Sequence, residues 1–109
     1  MQIIDKGMDN ESHLLAVSGR IDAMSAPEFE KQMSEIIDHG KQLLVIDMSQ
    51  LEYISSAGLR SFLVIAKKIK AASGQMKLCA MQDPVKEVFE ISGFDAIIPV
   101  CKTVTEAMV

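Results

Sequence analysis

The 109-residue sequence has no tryptophan, one tyrosine and four phenylalanines, so it lacks the aromatic platforms on which nucleic-acid bases stack. Its charge points the same way. Eleven Lys and Arg against fifteen Asp and Glu leave a formal net charge of −4, whereas nucleic-acid-binding surfaces are basic. A protein partner is the better expectation. Cysteine is equally scarce: Cys79 and Cys101 are the only two, far apart in sequence, with no CxxC pair and no histidine at metal-ligand spacing. They read as buried thiols; neither a zinc site nor a redox motif is supported, and no cofactor is implied. The longest uninterrupted apolar stretch, 96–101, reaches six residues only if Pro99 is counted, far below the roughly 18 that suggest a membrane span. Direct membrane insertion is therefore not expected. The N-terminal ten residues contain Asp5 and Asp9 and no apolar core, unlike a secretory signal. The cytoplasm is the expected location.

What is present is ordinary for a globular domain: 49% apolar and 24% charged residues, close to average usage. Residues 1–109 read as one domain, a length that buries roughly two-thirds of the unfolded chain's surface. Segments 2–8 and 13–21 read as strands of a hairpin joined by the turn-like 9–12. Ser25 with Glu28 three positions later has the form of a capping box. A helix follows, its stripe made by Phe29, Met33, Ile36 and Ile37, with Gly40 placed to end it in a left-handed conformation. Residues 43–46 form a continuous apolar run, expected of a central strand covered on both faces and stopped at Asp47. After a connection over 48–54, Leu59, Phe62, Leu63, Ala66 and Ile69 mark a second amphipathic helix, ended near Ala72 by Ser73-Gly74, with Lys67, Lys68 and Lys70 toward its C-terminal half. Residues 76–81 suggest a strand. Asp83-Pro84 reads as an N-cap and N1 proline opening a short helix that Gly93 closes. Residues 97–100 suggest an edge strand, because they include Pro99, and 103–108 a last helical turn or two. The fold class that follows is α/β: a mixed sheet of four to five strands, an N-terminal hairpin plus parallel crossovers, packed with about four helices.

The stretch VIDMSQLEYISSAGLRSFL, residues 45–63, is the informative one. A buried strand, a polar connection and Ser55-Ser56-Ala57-Gly58 precede an amphipathic helix. Hydroxyls at a helix start commonly act as N-caps; alternatively, one of these serines is modified or nucleophilic. As a hydrolase elbow of the G-x-S-x-G type the segment fails, since Ile54 stands two before Ser56. The candidate bases, His13 and His39, read as ordinary surface histidines. A phosphate-cradling loop fares no better, with Gly58 alone and no P-loop lysine. Asp22 and Asp47, at expected strand ends, could each serve a turn or a cap.

The same stretch resembles the signature of the STAS domain, in particular of small bacterial anti-sigma factor antagonists: an apolar strand, Asp-apolar-Ser, a connection, then Asp-Ser-Ser/Thr-Gly-Leu. Residues 18–22, Ser-Gly-Arg-Ile-Asp, resemble the family's Gly-x-apolar-Asp, followed by Ala26-Pro27 opening a helix. Residues 84–100 resemble its proline-started helix, Gly-Phe turn and Ile-Ile-Pro segment. The resemblance implies a non-enzymatic switch. Unphosphorylated members bind an anti-sigma factor that is also a serine kinase, which releases the sigma factor; phosphorylation ends the interaction, and a metal-dependent serine phosphatase of the PP2C kind resets it. By the motif, the phosphoacceptor carries over to Ser56, two before Gly58. Here Ser55 replaces the family's usual Asp and Ala57 its following Ser/Thr, so Ser55 is the second candidate. The implied partner surface comprises Asp22, Ser55, Ser56, Ala57, Gly58, Leu59 and Arg60, although Leu59 also fits the core stripe; Met24, just after Asp22 in an expected loop, joins it by position, while the other methionines read mainly as core filler. Alternatives are a non-switching accessory subunit, as in stressosome-like scaffolds or lipid-transport ATPase complexes, and more remotely a serine hydrolase.

Overall fold

The computed structural model describes residues 1–9, 11–40 and 43–108; the expected turn over 9–12 includes Asn10, and the expected domain includes Asn10, Lys41, Gln42 and Val109, which lie outside them. Strands β1 (Gln2–Asp9) and β2 (Ser12–Ile21) form the antiparallel hairpin. Helix α1 (Ala26–Asp38) leads to β3 (Leu43–Ile54), α2 (Ser56–Ala71) to β4 (Gln75–Cys79), and α3 (Asp83–Ser92) with a 3-10 turn at Phe94–Ala96 to β5 (Val100–Cys101). Helix α4 (Val104–Ala107) closes the order. The five strands lie in sequence order, β1-β2-β3-β4-β5, with every pair after the first parallel. Right-handed crossovers that always step in one direction place their helices on one face of a sheet. That face holds the main core, where residues of α1, α2 and α3 meet Leu15, Val17, Leu44, Ile46 and Leu78. Phe29, Phe62 and Phe89, one from each helix, meet in series, the first pair tilted and the second edge to face, with ring centroids 4.7 and 5.6 Å apart. Three of the four phenylalanines thus tie the helical layer together. On the opposite face α4 packs Ala107 on Val45 and Cys79, forming a smaller second cluster.

The largest departure from expectation is β3. The expected strand 43–46 and connection 48–54 are one strand reaching Ile54. Strict alternation ends at Met48, because Leu51 and Ile54 follow at intervals of three, yet Ile46, Met48, Leu51 and Ile54 all lie in the main core. The register explains this. Ala16 and Ser18 of β2 face Asp47 and Gln50, and Gly19 and Arg20 face Leu51 and Tyr53, so β3 carries an extra residue at two places. Each bulge resets which face the next side chain points to. Asp47 therefore lies within β3, not at its end, and its carboxylate accepts the Ser49 N–H at 2.9 Å beside the first bulge.

Caps also differ. The Ser25–Glu28 capping box does not form: Ser25 is in the helical region and makes no side-chain cap. A reciprocal arrangement occurs at α4, where Thr103 accepts the Glu106 N–H at 3.1 Å and the Glu106 carboxylate accepts the Lys102 N–H at 3.1 Å. The N-cap of α3 is Gln82, one residue before Asp83. Gly40 and Gly93, at φ +85° and +78°, end their helices in the expected left-handed conformation. Strand β4 stops at Cys79, and β5 begins at Val100, after Pro99. Of the run 43–46, Leu44, Val45 and Ile46 are covered, while Leu43 is 36% exposed.

Candidate functional site

Strands β2 and β3 end side by side, and two turns leave from that edge. The Ile21 carbonyl accepts the Ser55 N–H at 2.9 Å, which ties the β2–α1 turn to the start of α2. Gly58 makes this approach possible: a Cβ there would stand 2.7 Å from Ile54 Cγ1, 2.8 Å from Ile21 Cγ2 and 3.1 Å from the Ile21 carbonyl oxygen. Among these contacts, only the absence of a side chain lets α2 sit down on the strand ends. Gly58 and Leu59 are buried, Leu59 at 9% exposure within the core. Of the two readings open for Leu59, the core stripe is the one its burial fits.

The two serines have different environments. Ser55 is the N-cap in extended conformation, and its Oγ accepts the Gly58 N–H at 3.2 Å. Ser56, the first helical residue, is exposed, and its hydroxyl has no hydrogen bond among the described residues. Four residues on, Arg60 is also exposed, while Ala57 packs partly against the core. Residues four apart share a helical face, which sets Arg60 one turn beyond Ser56 on the same side of α2. Helix α2 has no acidic residue in its first turn.

Across the edge, Asp22 organises its own turn. Its carboxylate accepts the N–H groups of Met24 at 3.0 Å and Ser25 at 3.1 Å. The Ser25 hydroxyl in return accepts the Asp22 N–H at 2.9 Å and shares its own proton between the Arg20 carbonyl at 3.1 Å and the Asp22 carboxylate at 3.2 Å. The Ser25 N–H foremost, then those of Met24 and the Ser25 hydroxyl and the Arg20 charge, outweigh desolvation and hold the Asp22 carboxyl below its usual range. The turn throws Met24 outward, at 90% exposure. Between this turn and α2 runs a shallow groove lined by Ala23, Pro27, Glu30, Ala57 and Arg60. Its floor is held by the buried Ser61 hydroxyl, shared between the Glu30 carboxylate at 3.1 Å and the Ala26 carbonyl at 3.4 Å.

Asp22, Met24, Ser55, Ser56, Ala57 and Arg60 are thus gathered at one edge. Sequence reasoning missed two neighbours. The Arg20 guanidinium lies over the Tyr53 ring, 4.2 Å from its centroid, an exposed cation–π pair beside Asp22 and Ser55. Nothing in the sequence signals that pairing, because Arg20 and Tyr53 become register partners only through the second bulge. His13, expected at the surface, is instead 4% exposed, with Nε2 2.6 Å from the Asp5 carboxylate. It pairs with Leu44 near the start of β3, whereas Ser56 follows that strand's far end. His39 is exposed beyond the C-terminus of α1, where Nδ1 meets the Glu35 carbonyl at 2.6 Å. Among the described residues no group of three or more His, Cys, Asp or Glu is placed to hold a metal ion, and no helix is long and apolar enough to cross a membrane.

The profile of the STAS domain matches residues 7–107. The chain belongs to the STAS domain family. BtrV of Bordetella bronchiseptica, whose name assigns it to the anti-sigma factor antagonists, is 38% identical over 90 residues, 83% of this chain and 78% of its own. The crystal structure of an anti-sigma factor antagonist from Mycobacterium paratuberculosis superposes with a TM-score of 0.83 at 25% identity, covering 98% of this chain and 92% of that one. The unphosphorylated anti-sigma factor antagonist SpoIIAA shares the STAS fold at a TM-score of 0.81 and 19% identity, covering 98% and 93% of the two chains. Phosphorylated SpoIIAA from Bacillus does so at 0.73 and 18%, covering 98% and 96%.

Proposed function

We propose that this STAS protein, one domain over residues 1–109, is an anti-sigma factor antagonist controlled by phosphorylation of Ser56. Unphosphorylated, it binds an anti-sigma factor that is also a serine kinase, and the sigma factor is released. Phosphate on Ser56 ends that binding, and a serine phosphatase of the PP2C kind restores it. The exchange takes place in the cytoplasm and needs no cofactor of the antagonist itself. The observation that carries this reading is the difference between the two serines: Ser55 is engaged in capping, while the hydroxyl of Ser56 stands on an exposed helical turn with no hydrogen bond among the described residues. The names of the relatives support it, as does a fold neighbour described in both phosphorylated and unphosphorylated forms. Asp22, Met24 and Arg60 flank the serine and form the partner's contact surface. A phosphate adds about −1.5 to −2 charge, and a like-charge or desolvated contact inside an interface costs several kcal/mol. The residues play a recognising role, not a catalytic one; of the two candidate bases, His13 lies at the opposite end of β2 and His39 beyond the C-terminus of α1, with Nδ1 at the Glu35 carbonyl.

Incubation of the protein with ATP and its cognate anti-sigma kinase tests this reading. Stoichiometric phosphate on Ser56, and kinase binding that Ser56→Asp weakens, are the expected results. No phosphate on either serine would assign the protein instead to a non-switching accessory role.

A further inference from the structure

We propose that Cys79 and Cys101 form a reversible disulfide that latches the edge strand β5 to β4, closed by peroxide-class oxidants. The two residues are direct register partners across the parallel β4–β5 pair. Neighbouring strands lie about 4.8 Å apart, and disulfides join Cα atoms separated by roughly 4.4–6.8 Å. Paired positions on a pleated sheet send their side chains to the same face. Here that face is the one under α4, where Cys79 joins Val45 and Ala107 and Cys101 packs against them from the margin. Both thiols are free in the reduced chain. They differ in access, Cys79 being fully buried and Cys101 half-buried. A diffusible oxidant therefore meets Cys101 first.

The chemistry closes in two steps. The Cys101 sulfur attacks one oxygen of the peroxide, the O–O bond breaks, and a sulfenic acid and one water result. The Cys79 sulfur then attacks the Cys101 sulfur, the S–O bond breaks, and the departing hydroxide leaves as a second water with the Cys79 proton. Two thiols lose two electrons in all, and one peroxide is reduced to two waters. Closure gives up the donation from the Cys79 thiol to the Ile46 carbonyl, 3.4 Å long. Strand β5 is only two residues long and lies at the sheet edge, held to β4 on one side alone. Burial foremost, then the nearby Asp47 and Cys101, pushes the Cys79 thiol up to about 12. Since the thiolate is the attacking form, the second step is the slow one at neutral pH and quickens as pH rises. The same burial protects Cys79 from direct oxidation.

The test is treatment of the whole protein with hydrogen peroxide, blocking of remaining thiols with N-ethylmaleimide, and non-reducing peptide mapping by mass spectrometry. The expected product is a monomer containing a Cys79–Cys101 cross-linked peptide, formed faster at higher pH and reopened by dithiothreitol. In a Cys79→Val chain shown by circular dichroism to be folded, Cys101 accumulates as a sulfenic acid that dimedone traps, with no cross-link. Wild-type monomer in which both cysteines remain alkylated, at a dose that oxidises Cys101 in that variant, would overturn the proposal. So would disulfides found only between two chains.

Discussion

The Ser55 hydroxyl accepts the Gly58 N–H at 3.2 Å, while the adjoining Ser56 hydroxyl projects from the same turn with no partner among the described residues. Two neighbouring serines are thereby divided between structure and surface. Removing an N-cap oxygen costs about 1 kcal/mol, whereas an exposed hydroxyl without a partner contributes within about 0.5 kcal/mol. Ser55→Ala is expected to lower the unfolding free energy by about 1 kcal/mol in urea titrations, and Ser56→Ala to leave it nearly unchanged. With the cognate kinase, Ser55→Ala still takes phosphate and Ser56→Ala does not. Equal stability losses for the two variants would contradict this division.

Gly58 gives a second test, because two effects of opposite sign compete there. Alanine gains about 1 kcal/mol over glycine in a helix interior. Against that, the new Cβ would lie 2.7 Å from Ile54 Cγ1, 2.8 Å from Ile21 Cγ2 and 3.1 Å from a backbone oxygen. Forcing atoms into a packed region costs typically about 1–3 kcal/mol, and the Ile21 backbone has little room to yield because its carbonyl also holds the Ser55 N–H. Overpacking is expected to win. Gly58→Ala should lose about 1 kcal/mol net, read as a lower urea midpoint. A variant as stable as wild type would show that α2 is not pressed against the strand ends.

The sheet's composition and the three long helices were legible because their signals are local: apolar stripes, a glycine after α1 and α3, a continuous apolar strand. Strand β3 was not legible beyond Asp47 because bulges destroy the alternation by which a half-buried strand is recognised. Met48, Leu51 and Ile54 read as a connection until the pairing with β2 shows two inserted residues. The Ser25–Glu28 spacing fitted a capping box, but the Ser25 hydroxyl has a stronger claim on it from the Asp22 turn. The pairs Arg20–Tyr53 and Cys79–Cys101 are products of register, which no single segment contains. Ser56 was legible as a candidate through its motif; that its hydroxyl is free while that of Ser55 is engaged required the cap geometry.

Asp22 supplies a prediction about pH. Its carboxyl is held below the ordinary value of 3.8, first by the Ser25 N–H, then against desolvation by the Met24 N–H, the Ser25 hydroxyl and the Arg20 charge. A carboxyl depressed in the folded state contributes stability that is complete above the unfolded value and is lost as pH falls through the folded one. The contribution should therefore be intact at pH 5 and decline as pH falls below about 4. Asp22→Asn keeps an acceptor oxygen but does not titrate. Urea midpoints followed from pH 5 downward should fall less steeply for the variant than for wild type below about pH 4. Parallel curves would show that the turn hydrogen bonds do not depend on the charge.

Phosphate on Ser56 should strengthen the start of α2 instead of melting it. A negative group at the first helical position meets unsatisfied N–H groups and the positive end of the helix dipole. It also lies four residues before Arg60, on the same helical face, and Arg60 has no ion pair among the described residues. An i,i+4 ion pair on a helix contributes about 0.2–0.5 kcal/mol, enough to shift the second phosphate ionisation by about 0.3. Phosphoserine installed at position 56 during translation allows the measurement without any kinase. A phosphorus NMR titration should place its second ionisation lower in the wild-type background than with Arg60→Ala, while amide exchange across α2 stays the same or slows. Faster exchange over α2 would mean that the phosphate unfolds the turn. An ionisation indifferent to Arg60→Ala would mean that Arg60 remains available to the partner in both states, leaving charge and bulk at Ser56 to break the complex by themselves.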